Sequence, residues 1–285
     1  KFEKAKAKIQ GMLLSGDNAF LDKDKNLTLD TNILGISPNG WEIKASELKY
    51  NKETQELISV KPMYAKNEEK GIEVLANKFK TTISMDNITL EDGVVIKNKL
   101  FSILADKANY NNANKTIVLE GNIRLSNRIG DIGDINTLKN IKDIQNSDVN
   151  KTDKEMSGTF EKVYFNLDER NLYATDGFNL KYDEVGLKGK NIVLNEITQS
   201  FKVTDDVKFI YQDYIFDVNY IEKEPNSHII NVYGQIKGGN LIYSVLADKG
   251  EYNINDKKVR IFGNVDITST KGENLKLDNF IYSSE

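Results

Sequence analysis

The chain has 285 residues, which is room for one large domain or two small ones, and Lys+Arg 39 against Asp+Glu 43 gives a net charge of −4 with both signs interspersed. That balance excludes the basic stripe a nucleic-acid partner requires. Cysteine is absent, which excludes disulfide frameworks and thiolate metal sites, and no run of 18 apolar residues occurs that would span a bilayer as a helix.

The chain opens with Lys1–Gln10, basic and weakly amphipathic, without an initiator methionine. We read residues 1–14 as an N-terminal stalk, either a short helix or a tether leaving a membrane after removal of a signal or anchor segment. A trimmed cytosolic domain is the plainer alternative. Next comes a series of hairpins. Ile103–Leu125, ILADKANYNNANKTIVLEGNIRL, recurs from Val245 to Ile267 as VLADKGEYNINDKKVRIFGNVDI. With Ala105 or Ala247 as position zero, an aromatic falls at plus 5, apolar residues at plus 12, 14, 18 and 20, and a glycine at plus 16. This pattern predicts a hairpin with one buried face.

The same template finds nine copies along the chain, anchored at Ser15, Ala45, Ala76, Ala105, Phe160, Gly189, Ile215, Ala247 and Leu277. At plus 5 stand Phe20, Tyr50, Thr81, Tyr110, Phe165, Leu194, Tyr220, Tyr252 and Tyr282. Plus 12 holds Leu27, Leu57, Ile88, Ile117, Leu172, Phe201, Ile230 and Val259, and plus 18 holds Ile33, Met63, Val94, Ile123, Phe178, Val207, Ile236 and Val265. No residue in either set is polar, although the composition is 39% hydrophobic, so the register is real where identity is weak. Turns such as Asn51–Thr54, Asn111–Asn114 and Asn253–Asp256 carry the Asn and Asp that cap their own backbone. Glycines at plus 16 or 17, including Gly93, Gly121, Gly177, Gly234 and Gly263, predict a bend midway along the second strand, after which it continues onto a facing sheet. The predicted fold is all-β, a repeat-built twisted β-jellyroll or flattened two-sheet solenoid of about nine units of about 30 residues. Units 1–4 occupy 15–125 and units 5–9 occupy 157–285. Between them, 126–156 is a polar insertion or linker, read either as a loop or as a short amphipathic helix over Asp134–Gln145.

Chemical motifs are weak. His228 is the only histidine and sits in the longest turn, with no partner for a metal site or a triad. Asp22–Asn26 resembles the start of a calcium loop, but Leu27 stands at the sixth position and Ile33 at the twelfth, where the loop needs glycine and glutamate. Gly186–Lys190 lacks phosphate-loop spacing and falls in a strand repeat, which leaves Lys188 and Lys190 facing outward. No catalytic residue, metal or cofactor is implied. The recurring aromatics admit two readings, a filled core or a continuous apolar groove. The candidate groove residues are Tyr50, Phe79, Tyr110, Ile117, Ile123, Phe165, Phe178, Leu194, Phe201, Val207, Tyr220, Tyr252, Val259 and Val265.

The pattern ADKxxYNxxxKxVxxxGNVxI, read from Ala105–Leu125 and Ala247–Ile267, resembles the OstA-like family of lipopolysaccharide-export periplasmic proteins (LptA/LptC type). The resemblance implies a half-open β-jellyroll in the periplasm that is not an enzyme. It would carry the acyl chains of lipopolysaccharide or a similar glycolipid between inner and outer membrane, as the component held at the inner membrane by a segment ahead of Lys1. Implied partners are other jellyroll bridge proteins, joined by edge-strand addition, and an inner-membrane transporter. The candidate partner edge is Leu277, Phe280 and Tyr282, because the ninth unit supplies a first strand without its return. The alternatives are a structural or adhesive β-repeat protein with a closed core and, less favoured, a carbohydrate-active β-helix enzyme.

Overall fold

The computed structural model describes residues 2–98, 101–126 and 156–283. Among them are twenty-two β-strands and no helix. The expected insertion, with its helix over 134–145, lies outside the described residues apart from its end residues Ser126 and Met156. The chain divides into two compact units, Lys1–Thr152 with Asn166–Asp168, and Asp153–Phe165 with Glu169–Glu285.

The first unit begins with β1 (Phe2–Ile9), β2 (Met12–Leu21), β3 (Leu27–Ile36) and β4 (Trp41–Asn51). It continues through β5 (Glu56–Ser59), β6 (Met63–Asn67), β7 (Ile72–Thr82) and β8 (Asn87–Lys97), and closes with β9 (Ser102–Ala105), β10 (Lys107–Asn111), β11 (Thr116–Glu120) and β12 (Ile123–Ser126). Residues 2–9, expected as a helix or stalk, are therefore a strand, paired antiparallel with β2. The second unit contains β14 (Asn171–Tyr182), β15 (Val185–Gly189), β16 (Asn191–Asn195), β17 (Phe201–Tyr211) and β18 (Tyr214–Lys223). It ends with β19 (Ile229–Gly239), β20 (Tyr243–Asn253), β21 (Lys258–Ser269) and β22 (Asn274–Ser283), and β13 (Met156–Asn166) precedes it.

Several hairpins close on an asparagine turn of the kind expected from the sequence. The side-chain oxygen of Asn51 accepts the N–H groups of Glu53 and Thr54, Asn195 those of Ile197 and Thr198, and Asn253 those of Asn255 and Asp256. Asp22 closes its own turn in the same way, accepting from Asp24 and Asn26, which identifies Asp22–Asn26 as a turn.

The strands are bent at mid-length. The long strand β4 pairs with both β5 and β6, and β14 with both β15 and β16, so each short pair is one strand interrupted by a break. Unbroken strands show a register shift at the same place, as between Leu246 and Lys249 of β20 against β21. The buried lane of β20 runs Val245, Ala247, then Gly250 and Tyr252, a step of three where an undisturbed strand steps by two. At most bends the second strand places residues in the left-handed region: Thr31–Asn32, Asp92–Gly93, Gly121–Asn122, Asp176–Gly177, Asp205–Asp206, Gly234 and Gly263–Asn264. From Asp176 onward these bends recur every 29 residues.

An amide–carboxylate hydrogen bond spans the bend in both units. Asn32 donates to Asp17 at 2.6 Å, Asn122 to Asp106 at 2.7 Å, Asn191 to Asp205 at 2.7 Å and Asn264 to Asp248 at 2.8 Å. The Ala-Asp and Gly-Asn pairs of the repeat are thus two sides of one contact. The glycine is needed because of that carboxylate: a Cβ on Gly263, where φ is +78°, would lie 2.7 Å from Asp248 Oδ2.

The bend folds each unit's sheet over, so that both halves of a strand bury their inner lane. Every plus-18 residue is buried, and so is every plus-12 residue except the half-buried Leu27. First strands such as β20 carry the same mid-strand shift that the sequence predicts for the second strands. Two template anchors are one residue out of place. Leu14 and Phe216 are buried in the lane assigned to Ser15 and Ile215, so Ala19 and Ile221 take the inner plus-5 positions, and Phe20 and Tyr220 turn outward. The outer lanes carry mainly ion pairs, such as Lys80–Glu56 at 2.7 Å and Lys208–Asp217 at 2.5 Å. One outward row of the first unit, Tyr64, Leu75, Val95 and Leu104, is buried as well.

Gly263→Ala is expected to destabilise the second unit by about 2 kcal/mol through left-handed strain and the clash with Asp248. In urea unfolding followed by circular dichroism, the double variant with Asp248→Ala should lose less than the sum of the two single changes. Strict additivity would show that the two residues do not share a contact.

Candidate functional site

In the first unit, the two sheet halves meet around a void of about 40 Å³, with room for no more than a few water molecules. Trp41, Ile43, Met63 and Ala65 line it from one half and Phe79, Ile88, Tyr110 and Ile117 from the other. The Tyr110 hydroxyl donates to Asn112 at 3.0 Å, and burial, followed by the Asp168 charge, pushes its ionisation up. Of the remaining candidate residues in this unit, Ile123 is buried and Tyr50 is half-buried.

The second unit encloses a much larger space, a cavity of about 360 Å³ that opens to solvent. Tyr214, Phe216, Tyr243, Val245, Ile267 and Leu275 line one side of it; Val259, Ile261, Phe280 and Tyr282 line the other, with Tyr211 between. The walls are predominantly apolar because both inner lanes converge there. The mouth lies beside Tyr243 and Leu275, which are 41% and 50% exposed although they belong to the lining.

Aromatic rings form one end of the groove. Tyr211 lies 5.5 Å from Tyr252 and meets Tyr282 edge-on at 6.1 Å, while Tyr214 stacks on Phe216 at 5.9 Å. Their hydroxyls reach the rim. Tyr252 donates to Asp183 at 2.9 Å, Tyr211 to the Lys257 carbonyl at 3.0 Å and Tyr282 to Gln212 at 2.9 Å; Lys257 pairs with Glu184 at 2.6 Å. Burial, then the bond to the Asp183 carboxylate, holds the Tyr252 phenol far above the ordinary tyrosine range, so it stays a neutral donor. These contacts tie the turns of one sheet half to those of the other.

Of the fourteen candidate groove residues, Val259 lines this cavity and Tyr252 abuts it through Tyr211. Phe165, Phe178, Leu194, Phe201, Val207 and Val265 are buried elsewhere in the unit. Tyr220 lies on the outer lane, stacked on Tyr233 at 4.5 Å with Lys202 over its ring. Its assignment to the interior is corrected: the anchor of that copy, Ile215, itself stands on the outer lane, so the residue at plus 5 does too. Phe280 and Tyr282, chosen for the partner edge, are also groove walls, and Leu277 is half-buried opposite Val265. Reading the sequence missed Tyr211, Tyr214 and Tyr243, which stand at strand ends where the template placed turns. The signal for Tyr211 and Tyr214 was their place on either side of the short turn at Gln212–Asp213, and for Tyr243 its place directly after residues 240–242.

Among the described residues β22 pairs on one side only, with β21. His228 is exposed, no cluster of metal-ligating side chains occurs among the described residues, and Lys190 faces outward to pair with Asp206 at 2.5 Å.

No protein-family model matches the sequence, and neither does any curated protein. A solved structure similar in part is LptH, the LptA homologous periplasmic component of the conserved lipopolysaccharide transport device from Pseudomonas aeruginosa. It is 8% identical, with a TM-score of 0.39, and the match covers 50% of this chain and 96% of that one. At that identity and score the likeness assigns neither a family nor an activity.

Tyr252→Phe leaves the Asp183 carboxylate without its donor and is expected to cost about 1–2 kcal/mol in urea unfolding. Lys257→Ala, which removes a solvent-exposed ion pair, should leave the midpoint unchanged. Equal losses would show that charge holds the rim as much as the tyrosine does.

Proposed function

We propose that this chain is a lipid carrier that holds acyl chains in the groove between β17 and β22. The observation that carries the reading is the open, predominantly apolar cavity of about 360 Å³. Ligand sites span about 300–1,000 Å³, and each buried CH₂ contributes about 0.8 kcal/mol, so an alkyl chain is retained without a charged site. The finer reading takes the cargo as lipopolysaccharide or a similar glycolipid, moved through the periplasm by a chain of jellyroll proteins that starts at an inner-membrane transporter. The repeat pattern supports it, because stacked hairpin units of one register build a continuous apolar interior. The void of about 40 Å³ between Trp41 and Ile117 is too small for an alkyl chain, which favours the structural alternative at that place in the first unit.

Photo-crosslinking separates the two. A photoreactive side chain at Tyr243 or Phe280 should yield lipid adducts, whereas one at Ile117 in the filled core should not. Phe280→Asp should abolish the adducts at Tyr243, and Lys276→Ala, on the same strand and exposed, should leave them intact. Adducts of equal yield at all positions, or none at Tyr243, would sink the groove.

A further inference from the structure

The turn between β19 and β20, residues 240–242, is tightly built. The Asn240 side-chain oxygen accepts the N–H groups of Ile242 at 2.9 Å and Tyr243 at 2.8 Å, and its amide donates to Asp213 at 2.9 Å. Asn240 N–H donates to the Tyr243 carbonyl at 2.9 Å and Thr270 N–H to the Ile242 carbonyl at 2.8 Å. A turn capped this way ordinarily presents polar residues. This one presents Leu241, 96% exposed, and Ile242, 53% exposed.

We propose that the Leu241–Ile242 turn is a membrane-interface anchor that seats the mouth of the groove on a lipid surface. The proposal rests on the reading of the groove as a lipid carrier. Tyr243 makes the connection: it closes the turn and lines the cavity, so the apolar tip and the apolar lining form one surface. A tyrosine at that junction suits the headgroup level, with its ring in the apolar layer and its hydroxyl in the wet one. Asp213, bonded to Asn240, Lys237 on β19, and Lys271 and Glu273 in the turn whose Thr270 bonds to Ile242 are all exposed and of both signs, so attachment would depend on apolar area and not on anionic lipid. Two side chains on a projecting tip are too small for a stable protein interface, which buries on the order of 1,000 Å² or more.

The test uses the full chain and neutral phosphatidylcholine vesicles. Wild type is expected to co-sediment with them at low and high salt alike, and the double variant L241D/I242D to partition at least about tenfold more weakly. In a separate variant, Leu241→Trp, the indole emission should shift to the blue on vesicle addition and be quenched by brominated lipid. A fluorescent fatty acid measured without vesicles reports the groove alone, and its binding should survive L241D/I242D. Loss of vesicle binding with retained probe binding supports the anchor. Vesicle binding through the tip by a chain that never takes up the probe would keep the anchor and discard the carrier reading. Equal sedimentation of wild type and L241D/I242D, an indole that stays in water, or a tip substitution that changes self-association in the absence of vesicles would each overturn the proposal.

Discussion

The fold depends on a bend in the middle of each strand. A meander of strands ten to twelve residues long, with one apolar lane, would leave that lane facing water. Bulging every strand at its midpoint lets the sheet of each unit cover itself. The bulge uses residues that tolerate the left-handed region, and Asp-Gly, Asp-Asp, Gly234 and Gly-Asn supply them at a 29-residue interval in the second unit. The Asn264–Asp248 bond and its counterparts then fix how far the strand turns, because the carboxylate of one strand occupies the space where a side chain on the next would stand. The repeat in the sequence is the repeat of this contact, and the buried lanes follow from it.

Side-chain volume decides what the folded sheet encloses. Where Trp41, Met63 and Ala65 meet Phe79, Ala108 and Ile117 across the first unit, the space between the halves closes to a void of about 40 Å³. Near β22 the same architecture leaves about 360 Å³, because rings at its end hold the halves apart while Val245, Val259 and Ile261 line the walls without filling the gap. One repeat therefore builds a core and a groove, and the difference lies in a few inner-lane residues.

The sequence pattern revealed the strands, the turns and the two best positions in the repeat, because plus 12 and plus 18 lie on either side of the bend in the same strand and keep their parity. It misplaced Phe20 and Tyr220 for a physical reason. A bulge shifts the lane by one residue, and a copy anchored one residue early or late still finds an aromatic at plus 5, on the wrong face. The strand at residues 2–9 was legible in hindsight, since Ala5, Ala7 and Ile9 alternate with lysines; the left-handed Lys4 breaks that alternation before it reaches Phe2. The location of the groove was not legible. It depends on which inner side chains meet across the fold, and that pairing of distant strands is invisible to a period read along the chain.

Polar contacts at the rim, more than the apolar lining, set where the groove is open. Tyr252 with Asp183, Lys257 with Glu184, Tyr211 with the Lys257 carbonyl and Tyr282 with Gln212 join the turns of the two sheet halves. Behind these contacts Tyr252 is fully buried and Val259 nearly so; beyond them, Tyr243 and Leu275 carry the same inner lane into solvent. An apolar lining alone would favour collapse, because each uncovered residue gains by finding a partner. The rim opposes this by fixing the separation of the halves through directional bonds from rigid tyrosines, whose hydroxyls reach the turns only when the rings stand between the sheets. The same rings are then both the spacer that keeps the cavity from closing and its end wall.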